Sequence, residues 1–228
     1  KVLYTSTTCH SPVLAASYAG LEPVFVDISL TDFLMDENET LIAIEKYKNE
    51  IVALVYIYSF GHSPESLIKI KEKCKENNIV LIEDVAQAFG SETINSKSGL
   101  IGDYSVFSFG YSKHIDCECG GFIINNSKNS FIKAIDFTNN ISLTNNINLL
   151  NKTYRSEYYA LRSKALNDYN KFLDYIHFFD SYQPLYFQKK NPNWNTILEK
   201  LNSFTNNDHK NLRNNNAKLY RRLILEAN

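Results

Sequence analysis

The chain has 228 residues, of which 44% are hydrophobic and 13% aromatic, enough apolar side chain to bury a sizeable core in one or two domains. The formal net charge is −1 and no dense run of Lys or Arg occurs, which argues against a nucleic-acid partner. No apolar segment approaches the roughly 20 residues needed to cross a bilayer, which argues against a membrane partner. We therefore expect a globular protein that acts on small molecules.

The four cysteines are best explained as reduced thiols. Only Cys117 and Cys119 lie close together, and one intervening residue is too short for an ordinary disulfide and unlike the spacing of a zinc knuckle. Reduced thiols and the lack of a signal peptide predict a cytoplasmic protein, and no metal site is expected. Residues 1–4 have the pattern of the middle of a strand, so we expect the chain to be a fragment.

The first predicted elements are a strand, a helix and a second strand. A short strand covers residues 2–4, and Ser11 followed by Pro12 predicts the N-cap and first residue of a helix. Gly20 is a helix-stop signal, so the helix is expected to end there. The apolar run at residues 23–27 then predicts a short buried strand.

The next hundred residues continue the alternation of helices and strands. Leu67, Ile70 and Cys74 recur at helical spacing, while the apolar run at 51–58 is too continuous for a strand with one face in water. Strands joined by helical crossovers pair in parallel, in a sheet covered on both faces. We therefore predict an α/β fold with an open, mostly parallel central sheet and helices on both faces. The elements predicted here are helices at 41–48 and 63–77 and strands at 51–58, 79–83, 104–109 and 121–124.

The chain changes character beyond about residue 127. Residues 131–228 contain no clean strand pattern, are rich in Asn, Lys and Tyr, and show helical patterns at 154–179 and 216–226. We therefore predict two segments. Residues 1–130 form an α/β domain, and residues 131–228 form a helical, Asn-rich segment.

Four polar side chains follow the last predicted strands in an order that is typical of a binding site for a reactive small molecule. Asp84 comes at the carboxyl end of an apolar strand, the edge at which open parallel sheets bind ligands, and Gln87 follows one turn later. Ser108 ends the next strand, where a hydroxyl and backbone amides can hold a phosphate, and Lys113 lies in the loop beyond it. An acid that keeps a pyridine nitrogen protonated and an amine that bonds to an aldehyde are what a pyridoxal phosphate site needs.

Each of these residues has a simpler explanation when taken alone. Asp84 would cap a loop, and Lys113 would be one of many solvated surface lysines. The combination is more specific, because all four residues occur in this order and Gly120-Gly121 closes the loop. It favours a pyridoxal phosphate site over four unrelated surface residues.

The sequence resembles the DegT/DnrJ/EryC1/StrS sugar aminotransferases, which are fold-type-I pyridoxal phosphate enzymes. A weaker similarity at residues 213–223 matches the helix that leads into the small domain of that family, so residues 131–228 are expected to lead toward a truncated small domain. The stretches that carry the resemblance are AGLEPVFVD at 19–27, IEDVAQAFG at 82–90, Gly102-Asp103, and FSFGYSK at 107–113 with Gly120-Gly121 beyond it.

The resemblance implies a role for each candidate residue. Lys113 would form the Schiff base with the cofactor and move the proton, and Asp84 would pair with the pyridinium nitrogen. Gln87 would lie near the phenolic oxygen and Ser108 would bind the phosphate. Many members stack an aromatic residue on the ring near His10, so His10 either takes that role or is an ordinary histidine at a helix start.

The resemblance also implies the reaction and its setting. Such enzymes transfer an amino group from an amino acid, commonly glutamate, to a keto sugar attached to a nucleotide, usually in polysaccharide biosynthesis. They build each site between two subunits, so a homodimer is expected. Residues 1–130 would then be the cofactor-binding domain.

Several departures leave alternatives open. Dehydratases of the same fold replace the Schiff-base lysine with histidine, whereas here Lys113 is present and His114 lies next to it. Many members carry Glu where Cys119 stands, and here Glu118 is one residue out of step. The helix start that supplies much of the phosphate site would precede the first residue, and residues 131–212 match poorly. The alternative to an active aminotransferase is an inactive or truncated pyridoxal phosphate-binding homologue.

Overall fold

The computed structural model describes residues 1–61, 67–92, 96–110, 112–117, 120–127, 156–157, 159–161, 163–164, 168, 171, 193–206, 215 and 218. The helix start predicted at Ser63, most of the helices predicted at 154–179 and 216–226, and the pair Glu118 and Cys119 lie outside the described residues. The chain divides into two compact units. The first comprises Lys1–Thr8, Pro23–Ser127 and Pro192–Asn228, and the second comprises Cys9–Glu22 and Lys128–Asn191.

The first unit is built on one six-stranded sheet in the spatial order β2-β1-β3-β4-β5-β6. All neighbouring pairs run parallel except the last, in which β6 is antiparallel to β5. The predicted mostly parallel α/β sheet is thereby confirmed. The strands are β1 (Val2–Thr5), β2 (Pro23–Val26), β3 (Ala53–Ile57), β4 (Val80–Asp84), β5 (Tyr104–Ser108) and β6 (Gly121–Asn125).

The helices of the first unit are α2 (Glu37–Tyr47), α3 (Leu67–Glu76) and α4 (Trp194–Asn206). Helix α2 begins four residues before the predicted start at 41. The reason is a side-chain cap, since Asp36 Oδ1 accepts the Glu39 N–H at 2.9 Å and so satisfies a donor of the first turn.

Helix α1 (His10–Tyr18) belongs to the second unit, and its predicted start was wrong by two positions. The N-cap is Cys9, not Ser11, and the Cys9 side chain makes no capping hydrogen bond. The predicted end is correct. Gly20 has φ +72° and donates its N–H to Ser17 O at 3.0 Å, which is the left-handed ending that glycine favours.

The main core lies where α2 and α3 pack against the sheet. Leu3, Leu54 and Leu81, from three neighbouring strands, are fully buried in one cluster with Ile44 of α2 and Ile70 of α3. This burial explains the continuously apolar strand sequences. The register pairs Ile57 with Asp84 and Asp84 with Val106, so β3, β4 and β5 end close together at one edge of the sheet.

Helix α4 was not predicted from the sequence, although its signals are present. Asn193 Oδ1 accepts the Thr196 N–H at 3.2 Å, as an N-cap does. Ile197, Leu201 and Phe204 recur at helical spacing and form a second, smaller apolar cluster. Phe89, Phe109, Ile115 and Cys117 complete that cluster.

Candidate functional site

Asp84 is the last residue of β4 and lies between the ends of two neighbouring strands. Its backbone carbonyl accepts the Tyr58 N–H at 3.1 Å, and its carboxylate Oδ1 accepts the Ala86 N–H at 3.0 Å. No residue in the described part of the chain donates a hydrogen bond to Oδ2. One oxygen therefore caps the loop, as the simpler explanation requires, and the second can still bind a ligand.

The electrostatics of Asp84 link it to Lys113. Burial raises the pKa of the Asp84 carboxyl, while the Ala86 N–H and the charge of Lys113 lower that pKa in part. The Lys113 ammonium must lie near the carboxylate for its charge to act in this way. The predicted acid and the predicted amine thus lie within electrostatic reach of each other, without a direct ion pair between them.

Lys113 lies in the loop between β5 and β6 and is half-buried. Its backbone N–H donates to Gly110 O at 3.2 Å, which closes a tight turn. Ser112 has φ +61° and donates its N–H to Asp116 Oδ2 at 2.8 Å. Ile115, two residues beyond Lys113, is buried and anchors the loop in the smaller apolar cluster. The lysine is therefore presented by a loop with defined internal contacts.

A cavity of about 430 Å³ opens beside Lys113, and we call it the main cavity. Its volume lies in the range of small-molecule sites, roughly 300–1,000 Å³. Two of the predicted site residues, Gln87 and Lys113, line it, whereas Asp84 and Ser108 do not. Ala86, which binds the Asp84 carboxylate, is also in its wall.

Gln87 makes a contact that the sequence did not indicate. Its Oε1 accepts the Phe60 N–H at 3.3 Å, so its amide nitrogen is oriented as the remaining donor. Phe60 also lines the main cavity, has φ +58° and leaves 76% of its surface exposed. Left-handed backbone at a bulky residue is uncommon and tends to occur at functional sites, but no sequence pattern reveals it in advance.

Ser108 is the last residue of β5 and is half-buried. Its Oγ accepts the Gly110 N–H at 3.1 Å, and Gly121 of β6 pairs with it. A Cβ built on Gly121 would lie 2.2 Å from Phe107 O, so glycine is required where the two strands approach. The structure fixes the position of Ser108 firmly, and its phosphate role stays a prediction.

His10 is the first residue of α1 and belongs to the second unit. Burial lowers the pKa of its imidazole, which favours the neutral ring. A neutral aromatic ring suits stacking and also suits an ordinary half-buried histidine. Stacking by His10 therefore stays a prediction.

The neighbouring acid, Glu83, has a structural role that sequence reasoning missed. Glu83 is fully buried and accepts a hydrogen bond from the Tyr58 phenol. The pKa of that phenol is raised, first by the burial of Tyr58 and then by the negative charge of Glu83. These bonds tie β4 to the segment before β5 and so fix the strand end that carries Asp84. Besides the Tyr58 hydroxyl, the donors are the backbone N–H groups of Gly99 at 2.9 Å, Ile101 at 2.7 Å, and Gly102.

The described residues contain neither a metal-ligand cluster nor a membrane-spanning helix. Among them, no three His, Cys, Asp or Glu side chains are grouped so that they could bind a metal ion, and Cys9, Cys74 and Cys117 are not joined in a disulfide. No helix in this part of the chain combines the length and apolar character needed to cross a membrane.

The parallel sheet, its crossover helices and its one antiparallel edge strand are the architecture of aminotransferases of known structure. Residues 1–154 match the family model of the DegT/DnrJ/EryC1/StrS aminotransferase family, and the chain belongs to that family. The resemblance drawn from the sequence is thereby confirmed. All five predicted site residues lie inside the matched range.

Individual relatives support the same assignment at modest identity. GDP-perosamine synthase of Escherichia coli O157:H7 is 31% identical over 137 residues, which cover 60% of this chain and 36% of that protein. The UDP-4-amino-4,6-dideoxy-N-acetyl-beta-L-altrosamine transaminase of Campylobacter jejuni subsp. jejuni is 34% identical over 127 residues, covering 56% and 33%. A Streptococcus pneumoniae protein, provisionally described as a sugar aminotransferase and solved in its PLP form, aligns with TM-score 0.51 at 25% identity, covering 60% and 37%. The chain spans about a third of the length of these curated relatives.

Proposed function

We propose that the protein is a pyridoxal phosphate-dependent aminotransferase that moves an amino group from an amino acid such as glutamate to a keto sugar attached to a nucleotide. The observation that carries this proposal is that Lys113 and Gln87 line the main cavity, within electrostatic reach of Asp84 at the carboxyl end of β4. The substrate class comes from the relatives, a perosamine synthase and an altrosamine transaminase.

The residues around the main cavity suit the cofactor. When bound, pyridoxal phosphate supplies an electron-withdrawing ring that stabilises negative charge on the carbon bearing the amine. Asp84 would hold the proton on the ring nitrogen through Oδ2, because a buried carboxylate gains from a cationic partner. The Gln87 amide nitrogen would donate to the phenolic oxygen, and the Ser108 hydroxyl would donate to the phosphate.

Lys113 would have two roles in the reaction. Its Nζ would be the amine that holds the cofactor through the aldehyde, which requires the neutral form of the side chain. As a free amine, the same nitrogen would take a proton from the substrate carbon that bears the amino group and would hold that proton for the rest of the transfer. The half-buried loop position allows both, because it excludes part of the water while leaving the side chain at the cavity wall.

We also propose roles for the two segments of the chain and for His10, and an assembly for the whole protein. Residues 1–130 would bind the cofactor and residues 131–228 would lead toward the small domain. His10 would stack on the ring. A homodimer in the cytoplasm, serving polysaccharide biosynthesis, is the assembly and setting that we propose on the family relationship.

Reductive trapping tests the assignment of Lys113. Full-length wild-type protein, Lys113→Ala and Lys75→Ala would be incubated with one equivalent of pyridoxal phosphate, reduced with borohydride and digested for peptide mass spectrometry. Lys75 is an exposed α3 residue, so its loss is a matched control for removing one lysine. We expect the reduced cofactor on the peptide containing residue 113 in the wild type and in Lys75→Ala, and on no peptide of Lys113→Ala.

The outcomes separate the candidate functions. Stoichiometric label on another lysine in the Lys113→Ala protein would show that the assigned amine is wrong. Trapping at Lys113 in a protein that transfers no amino group to any keto sugar nucleotide would favour the inactive cofactor-binding homologue.

A further inference from the structure

Helix α4 lies against the loop that carries Lys113. Ile197 of α4 is 2% exposed and shares the smaller apolar cluster with Phe109 and Ile115 of that loop. The Phe204 ring of α4 makes an edge contact with the Phe89 ring, with centroids 5.2 Å apart. Two apolar anchors on one face fix the helix, so the polar residues beside them hold defined positions.

A second cavity, of about 220 Å³, opens between α4 and this loop. We call it the α4 cavity. Lys113 and His114 line both this cavity and the main cavity, and Lys200 and Ser203 of α4 line only the α4 cavity. A molecule that reacts at Lys113 could therefore extend one of its groups to Lys200.

The charges around the α4 cavity favour an anion. It is lined by two lysines, Lys113 and Lys200, and by one acidic residue, Asp116. The Asp116 Oδ2 already accepts the Ser112 N–H, whereas the Lys200 ammonium donates to the Asp116 backbone carbonyl and so points toward the loop. Ser203 lies three residues after Lys200, on the same side of the helix, and adds a hydroxyl.

We infer that the α4 cavity is an anion subsite in which Lys200 and Ser203 bind a charged group of the substrate while its reacting atom lies at Lys113. This inference rests on the proposed function. Two substrate groups have the required anionic oxygens: the carboxylate of the amino donor and the diphosphate of the sugar nucleotide. An ammonium and a hydroxyl recognise both through charge-assisted hydrogen bonds.

Protection of Lys200 from acetylation tests the subsite without turnover. The full-length cofactor-loaded protein would be treated with sulfo-NHS-acetate alone or with L-glutamate, UDP or GDP, and Lys200 and Lys75 labelling would be compared by peptide mass spectrometry. Lys75 is the internal reference because it is exposed and lines neither cavity. At a ligand concentration of ten times Kd we expect about tenfold slower acetylation of Lys200 and an unchanged rate at Lys75.

The protecting probe identifies the group that binds. Protection by L-glutamate assigns the subsite to the donor carboxylate, and protection by a nucleoside diphosphate assigns it to the sugar nucleotide. If none of the three slows acetylation of Lys200 in protein whose Lys113 traps the cofactor, the anion subsite is wrong while the proposed function stands. If Lys113 does not trap the cofactor, the proposed function fails instead.

Substitution gives the second measurement. Isothermal titration calorimetry of the cofactor-loaded protein with the protecting probe measures the affinity without labelling residue 200. Lys200→Ala should raise the Kd of the probe about tenfold, because a charged hydrogen-bond partner is lost, and Lys200→Arg should restore most of the affinity. Glu199→Ala is the matched control, since Glu199 is exposed on the same helix and lines neither cavity. Equal affinity in Lys200→Ala and Glu199→Ala would overturn the subsite.

Discussion

Two adjacent carboxylates, Glu83 and Asp84, lie in opposite environments although the sequence shows only a pair of acids. Glu83 points into the sheet interior and is saturated by donors from Tyr58, the residue after β3, and from the segment before β5. Asp84 points the other way, because side chains alternate along a strand, and it receives one backbone N–H. The acid that is satisfied by the fold is structural, and the acid that is not satisfied is the one suited to a ligand.

The substitution Asp84→Asn should preserve or raise the free energy of unfolding while it slows the reaction. The amide oxygen can still accept the Ala86 N–H, so the loop should keep its conformation. Burial raises the pKa of the Asp84 carboxyl, so the wild-type cofactor-free protein loses stability as pH rises from the unfolded pKa through the folded pKa. Asn cannot ionise, and the variant should be as stable as the wild type below that window and more stable above it. Urea unfolding of cofactor-free protein at several pH values measures this difference.

The same variant should be a poor catalyst. Without the carboxylate the ring nitrogen is no longer held protonated, and single-turnover amino transfer should slow by at least about a hundredfold. Trapping at Lys113 should persist, which serves as the folding control. Wild-type turnover in Asp84→Asn would remove Asp84 from the mechanism.

The sequence indicated the candidate site residues that belong to local motifs and did not indicate the cavity residues that the fold brings in from a distance. Gln87 and Lys113 were expected near a cofactor, and both line the main cavity. Phe60 was not expected, since its left-handed backbone and its bond to Gln87 depend on the packing of a different segment. Lys200 lies 87 residues after Lys113, and only the folded chain brings the two together.

At the scale of elements, the order of strands and helices could be predicted because burial on both faces leaves continuously apolar strands. The helix starts were less certain, since they depend on which side chain caps the first turn. Asp36 starts α2 earlier than its apolar pattern indicates, and α1 starts at His10 before the Ser11-Pro12 signal. Helix α4 was overlooked because its apolar residues are surrounded by Asn and Lys, although they keep helical spacing.

Glu83→Gln tests how strongly β4 is tied to its neighbours. The amide replaces one acceptor oxygen by a donor, so at least one buried N–H among those of Gly99, Ile101 and Gly102 must lose its partner. We expect a loss of about 3 kcal/mol in the free energy of unfolding, from one unsatisfied donor and the weakened bonds to a formerly charged group.

Urea unfolding measures this loss, with Glu72→Gln as the matched control. Glu72 is an exposed residue of α3, and its substitution should change the free energy of unfolding by less than about 0.5 kcal/mol. A loss below about 1 kcal/mol in Glu83→Gln would mean that the donors around Glu83 find other acceptors, contrary to the structural role assigned to it.

For the molecule as a whole, the matched range holds all five predicted site residues, while the inferred subsite lies on α4, beyond residue 154. If both proposals hold, the chemistry of the site would depend on a part of the chain inside the matched range, and recognition of the substrate anion would depend on a part outside it. Such a division is expected when one reaction is retained and the substrate differs, because the cofactor needs a constant geometry and the substrate does not.

Thiol reactivity reports on the integrity of the whole fold. Cys74 of α3 is fully buried in the main core, and burial raises the pKa of its thiol to about 12, whereas Cys9 is exposed. Only the thiolate reacts, and at pH 8.5 a thiol with that pKa is ionised to roughly 0.03%, against about 50% for an ordinary thiol. Iodoacetamide should therefore label Cys9 within minutes in native protein and label Cys74 only in urea. Peptide mass spectrometry after timed labelling measures both rates, and comparable labelling of the two cysteines without urea would show that the α3 face of the core opens in the native state.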